Sequence, residues 1–136
     1  MDGISLIRAK SNSDPRGILS VIESLRTVPF DIRRIFYIYG MKKGTRRGGH
    51  AHRHSYQGLF AVRGKFSIWL DNGMIKESVS LESPDMILLI HPMIWVDIDC
   101  NEDESILMAL ASDYYDESEY VRSYDTFLSL VGKVKV

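Results

Sequence analysis

Three things are scarce in this chain of 136 residues: cysteine, surplus charge of either sign, and long apolar runs. Cys100 is the single cysteine, so no disulfide can close within the chain, and a reducing, cytoplasmic compartment is expected. Cys100 itself reads as a small apolar filler. Lysine and arginine number 17 against 18 acidic residues, a formal net charge of -1. That balance excludes the general basicity of a nucleic-acid binder and the acidity of a solvating tail. Any anion the protein binds must therefore be met by a local group of cations. Apolar runs such as Met86 to Ile90 are far too short to cross a bilayer, and Met1 to Lys10 lacks the apolar stretch of a signal peptide. No membrane and no nucleic-acid partner is expected.

Linkers, repeats and low-complexity stretches are absent too, so residues 1–136 are expected to form one domain. Short apolar segments recur between turn signals, which is the spacing of an all-β sandwich or barrel. Strands are expected at Ile18 to Glu23, Ile32 to Tyr39, Ala51 to Arg63, Lys65 to Leu70, Ile75 to Leu81, Met86 to Ile90 and Ser105 to Ala111. Asn72-Gly73 marks a hairpin between two of them. Near the C-terminus, Tyr120, Tyr124, Phe127, Leu128 and Val131 recur at helical spacing behind an acidic first turn of Asp116, Glu117 and Glu119. The expected architecture is a β-barrel or jelly roll closed by one short C-terminal helix. Trp69, Trp95 and the aromatic stripe are read as core or dimer contacts.

The chemistry concentrates at Gly48-Gly49-His50-Ala51-His52. Histidines at i and i+2 in a strand point to one face, with Cβ atoms about 6.6 Å apart. Both rings can then address one small molecule or one ion. Gly44 precedes His50 by five intervening residues; Gln57 and Gly64 follow at offsets that resemble the first motif of the cupin superfamily. Glutamine stands where many cupins carry a metal-binding glutamate. The second motif region, Pro92 to Asp97, has no histidine at the matching place, and His91 sits at the wrong offset. Two imidazoles and an amide are a poor site for iron or zinc, so no metal and no other cofactor is expected. His54 shares the parity of the pair but is placed at the mouth. Imidazoles that titrate near neutrality, and that resist both being charged, suit proton movement between carbon and oxygen.

The chain as a whole resembles the dTDP-sugar 3,4-ketoisomerases, small cupins. The resemblance rests on Asp14-Pro15-Arg16-Gly17, Val21-Ile22-Glu23, Pro29-Phe30, Arg34 to Ile38, Arg47 to His52, Gln57, Gly64, and Ala111 to Glu117 running into Tyr120-Val121-Arg122. It implies a cupin-type double-stranded β-helix and a nucleotide-linked 4-keto-6-deoxyhexose that leaves as its 3-keto isomer. It implies His50 as the base at C3 and C4, His52 as the proton shuttle between oxygens, and Tyr37 on a neighbouring strand as an orienting hydroxyl. Arg47 and Gln57 are expected to face the sugar and Arg16 the diphosphate, since guanidinium pairs with phosphate through two hydrogen bonds. A homodimer with exchanged N-terminal strands is also implied. Val96 and His54 depart from the pattern of close relatives. The competing readings are a keto-sugar epimerase, a non-catalytic sugar-nucleotide-binding cupin and a metal-dependent dioxygenase.

Overall fold

The computed structural model describes residues 1–134. Twelve strands and one helix run in the order β1 (Ile4–Arg8), β2 (Lys10–Asp14), β3 (Gly17–Val21), β4 (Arg34–Met41), β5 (Arg46–His52), β6 (Gln57–Arg63), β7 (Phe66–Asp71), β8 (Lys76–Leu81), β9 (Met86–Ile90), β10 (Trp95–Cys100), β11 (Ser105–Ala111), β12 (Tyr120–Val121) and α1 (Tyr124–Val134). They make two antiparallel five-stranded sheets, β1-β9-β6-β11-β4 and β12-β5-β10-β7-β8, with β2 and β3 as a separate hairpin. This is the expected jelly roll with its short C-terminal helix. Among the described residues no helix is long and apolar enough to cross a membrane.

The core lies between the sheets. Leu59, Ala61, Leu88, Ile90, Leu107 and Ala109 of one sheet meet Ile68, Leu70, Leu81, Val96 and Ile98 of the other. β6 reads as an unbroken apolar run because both of its faces are covered. Leu59 faces the core, while Phe60 packs with Val28, Phe30 and Ile87 under the 22–32 segment. α1 covers the outer face of the second sheet, where Phe127 and Val131 pack on Ala51, Trp95 and Val121. Trp95 is thus core, as expected. Trp69 is half-exposed and donates its indole N–H to Asp99.

Several boundaries differ from expectation. The single strand expected over Ala51 to Arg63 is two strands, β5 and β6, in different sheets. The crossing at 53–56 lies outside the ladders, and a buried carboxylate serves two of its amides: Glu119 accepts from His54 and Ser55, while the Arg53 amide donates to the Glu119 carbonyl and the Tyr56 amide to the Ser112 hydroxyl. The acidic cluster belongs to a 3-10 turn over Glu117–Glu119 that Asp116 caps, not to the helix. Tyr120 and Val121 then pair with His52 and Ala51, gaining ladder bonds and burying Val121, which a continued helix would forfeit. α1 starts behind Ser123, whose hydroxyl accepts from the Thr126 amide. Asn72-Gly73 does form the β7–β8 turn, but Asp71 opposes Lys76 across a longer loop, with Asn72 Oδ1 holding the amides of Met74 and Ile75. β1, β2 and β10 went unanticipated; in β10 the outward aspartates mask a clean alternation of Val96, Ile98 and Cys100.

One irregularity positions the site. β5 pairs with β10 so that Val96 opposes His50 but Asp97 opposes Gly48, which leaves Gly49 as an extra residue in a β-bulge. Gly48 and Gly49 have φ of 93° and 71°. A Cβ on Gly48 would lie 2.7 Å from the Val96 carbonyl oxygen. Gly48→Ala is expected to lower stability by roughly 2 kcal/mol or more through strain and backbone displacement. Gly132→Ala, on an open face of α1, is expected to be neutral or slightly stabilising. Urea denaturation of the two variants against the parent chain measures both.

Candidate active site

The bulge sets which side chains enter the barrel. Residues opposite one another in an antiparallel pair share a face, and Val96 and Ile98 face the core. Their partners, His50 and Arg47, therefore face inward as well. Three positions apart in a regular strand, those two would point to opposite faces. They line a cavity of about 320 Å³ with Phe36, Gln57, Leu59, Tyr120 and Arg122 among its walls.

The imidazoles of His50 and His52 meet edge to face, with ring centres 5.1 Å apart and planes at 90°. Tyr120 packs on both, 5.1 Å from His50 and 4.5 Å from His52. Its hydroxyl accepts from Arg34, and the Arg122 guanidinium lies over its ring at 4.6 Å. His52 sits behind His50. It is 5% exposed, and its Nδ1 lies 2.6 Å from Oε2 of Glu119, which is 3% exposed. His52 Nε2, Gln57 Nε2 and Arg34 Nε are buried without a hydrogen-bond partner among the described residues.

Electrostatics treats the two histidines differently. Burial, and then the neighbouring His52, push His50 down to about 4, with the Gly48 backbone pulling the other way. Burial also lowers His52, but Glu119 opposes it through both a hydrogen bond and its charge. For Glu119 itself, burial works against ionisation. Hydrogen bonds from His52 and the amides of His54 and Ser55 outweigh it and hold the carboxyl below its ordinary range. At neutral pH both imidazoles are neutral, and one of them touches a carboxylate.

Of the expected site residues, His50, Arg47 and Gln57 line one cavity, and His52 is in contact with it through His50. Tyr37 lines the same cavity at its rim, stacked on Tyr39. It is not on a strand neighbouring β5: β4 is the edge of the opposite sheet, and Phe36 and Ile38, not Tyr37, pack on the core. The tyrosine beside the imidazoles is Tyr120. Arg16 lies at the tip of the β2–β3 hairpin, paired with Asp14 and outside the cavity wall of this chain. His54 is exposed, and His91 packs on Tyr56 away from the pair. Among the described residues no three His, Cys, Asp or Glu side chains are grouped so as to hold a metal ion. Glu119, Arg34 and Arg122 were missed. The signal for Glu119 was an acid beside a β-type Tyr-Val pair, misread as a helix N-terminus.

A jelly roll with a histidine pair on an inner strand, opening on a polar-mouthed cavity, defines a cupin-type small-molecule site. Comparison with known proteins is more particular. The family model FdtA, described as WxcM-like, C-terminal, matches residues 2–132. The TDP-4-oxo-6-deoxy-alpha-D-glucose-3,4-oxoisomerase of Aneurinibacillus thermoaerophilus is 37% identical over 131 residues, covering 96% of this chain and 94% of that protein. The sugar 3,4-ketoisomerase QdtA of Thermoanaerobacterium thermosaccharolyticum, solved in complex with TDP, superposes with a TM-score of 0.96 at 32% identity, covering 100% of this chain and 99% of that one. A 3,4-ketoisomerase from Helicobacter canadensis gives 0.93 at 37% identity over 97% and 98% of the two chains. The chain belongs to the FdtA family.

Because His50 titrates lower when folded than its ordinary value of 6.5, the unfolded chain takes up that proton first as the pH falls. Stability is therefore lost on acidification from about 6.5 towards 4. Between pH 7 and pH 5 the loss from this one group is expected to be about 2 kcal/mol. Urea midpoints across that range should drop in the parent chain and drop less in His50→Asn.

Proposed function

We propose that the chain is a sugar-nucleotide 3,4-ketoisomerase. It converts a dTDP-linked 4-keto-6-deoxyhexose to its 3-keto isomer through an enediol, a step towards the deoxysugars of bacterial surface polysaccharides. The observation that carries the reading is the pair of neutral imidazoles in contact, one of them lining a cavity with Arg47 and Gln57. Relatives that share nearly the whole chain are named for this reaction.

The chemistry needs only proton movement. His50 removes the proton from C3, and the electron pair left behind forms the C3–C4 double bond as the C4 carbonyl oxygen becomes negative. His52 takes the proton of the C3 hydroxyl and gives one to the C4 oxygen. The enediol then collapses to a C3 carbonyl while His50 returns its proton at C4. Nothing is oxidised or reduced overall. Gln57, whose buried amide nitrogen is unengaged, donates to a sugar oxygen where charge develops. Arg47 supplies a local cation that a chain of balanced charge otherwise lacks, and Arg122, ion-paired to Glu117, lines the same cavity. Tyr37, at the rim, hydrogen-bonds the nucleotide-sugar. An epimerase would pair its base with a tyrosine acid, and Tyr120 beside His50 is the one feature that favours that alternative.

Arg16 reaches the diphosphate of a partner's site if the β2–β3 hairpin crosses between subunits of a homodimer. β1 pairs with β9 of its own chain, so this hairpin is the N-terminal element left to exchange. Its Ile18 and Leu19 are 73% and 61% exposed. The lone thiol and a nucleotide-sugar substrate support a cytoplasmic enzyme.

Proton NMR of dTDP-4-keto-6-deoxyglucose incubated with the enzyme in deuterium oxide is expected to show the carbonyl moving to C3. A carbonyl retained at C4 with exchange at neighbouring positions would select the epimerase, and binding without turnover the non-catalytic cupin. His50→Asn is expected to lower kcat by about 10²–10⁴-fold with KM nearly unchanged. For the assembly, light scattering should give a dimer for the parent chain and a monomer for the Ile18→Asp, Leu19→Asp double variant.

A further inference from the structure

Among the described residues Glu119 is the one buried carboxylate in contact with the histidine pair, and its two oxygens do different things. Oε1 accepts from the amides of His54 and Ser55, at 2.9 and 2.7 Å. Oε2 lies 2.6 Å from His52 Nδ1. Those hydrogen bonds favour the ionised carboxyl, and an ionised carboxylate can only accept, so Nδ1 carries the hydrogen and Nε2 holds a lone pair. Among the described residues His50 has no carboxylate at hydrogen-bond distance, and its ring packs on His52 and Tyr120. The charged and titratable groups around His52 are His50 on its own strand, Glu119 and Tyr120 from the segment before α1, Arg122 beyond them and Arg34 from β4. Glu119 is the carboxylate that touches His52, while the Arg122 guanidinium is itself ion-paired to Glu117.

We propose that Glu119 is a positioning residue for the isomerisation: it holds His52 as the Nδ1–H tautomer with Nε2 free to accept from a sugar hydroxyl, and it pairs the positive charge that His52 takes on while it relays that proton. The two histidines are then unequal. His50 is an imidazolium while it holds the carbon proton and has no carboxylate in hydrogen-bond contact, whereas His52 is a short-lived imidazolium paired to a buried carboxylate while it relays the hydroxyl proton. The proposal rests on the ketoisomerase reading.

Glu119→Gln tests it. The glutamine carbonyl oxygen can still serve the two amides, but its NH₂ group then faces Nδ1 and forces the other tautomer. The kcat is expected to fall at least 100-fold with KM within a few-fold, because a misdirected imidazole damages the reaction more than binding. Two-bond ¹H–¹⁵N correlation of histidine-labelled protein, with His52 assigned from the His52→Asn spectrum, should show hydrogen on Nδ1 in the parent chain and on Nε2 in Glu119→Gln. Parent-like kcat in the variant overturns the role. Hydrogen on Nε2 of His52 in the parent chain also overturns it, and that measurement decides the matter even if the variant fails to fold. A parent chain that shows the Nδ1–H tautomer but does not isomerise the keto sugar overturns the ketoisomerase reading instead.

Discussion

The inner surface of this barrel depends on one inserted residue. A regular β5 would send Arg47 and His50 to opposite faces, one into the cavity and one into solvent. The Gly48–Gly49 bulge rephases the strand, so a cation and a base arrive on the same wall. Only glycine permits it at Gly48, where positive φ and the Val96 carbonyl together exclude a side chain. The neighbouring pairing of Arg46 with Asp99 on the outer face clamps the strand just before the bulge.

A second constraint lies one turn of chain further on. β5 and β6 belong to different sheets, so the crossing between them leaves amide groups unpaired beside an apolar core. Glu119 satisfies those amides and the histidine at once. A buried carboxylate is costly unless its acceptor capacity is filled, and here three N–H donors fill it. The same negative charge offsets part of the desolvation that lowers His52 through a direct hydrogen bond, whereas it reaches His50 only at a distance, and His52 adds to the lowering there. Two chemically identical side chains thus become distinct through their neighbours alone.

Much of this was legible from residue order. Alternation in Phe66 to Leu70, turn chemistry at Asn72-Gly73 and the spacing from Gly44 to Gly64 pointed to the jelly roll and to His50, His52, Arg47 and Gln57. What stayed hidden had identifiable physical causes. β5 and β6 merged because nothing local distinguishes a crossing from a continuous strand when apolar residues lie on both sides of it. β10 was masked by outward aspartates that read as turn formers. Glu119 and Tyr120 were assigned to a helix because Glu117, Glu119 and the aromatic spacing satisfy helical rules. The competing attraction, an open strand edge on β5, is a long-range feature that no window of sequence contains. Tyr37 was placed beside β5 for want of the sheet order.

The carboxylate that fastens the crossing also has a kinetic meaning. The stretch from Asp116 to Arg122 joins the barrel through the two-residue β12 ladder, the Arg53 amide on the Glu119 carbonyl, the buried Val121 and this one side chain, a small set of contacts that can open as a unit while the other strands stay paired. A molecule in that state would pass a test of secondary structure yet hold its second imidazole unanchored. Amide exchange at His54 and Ser55 would report it, because those two hydrogens are shielded only while the acid is seated. Integrity of the scaffold and readiness of the catalyst are therefore separate quantities here, and the gap between them is the free energy of docking seven residues.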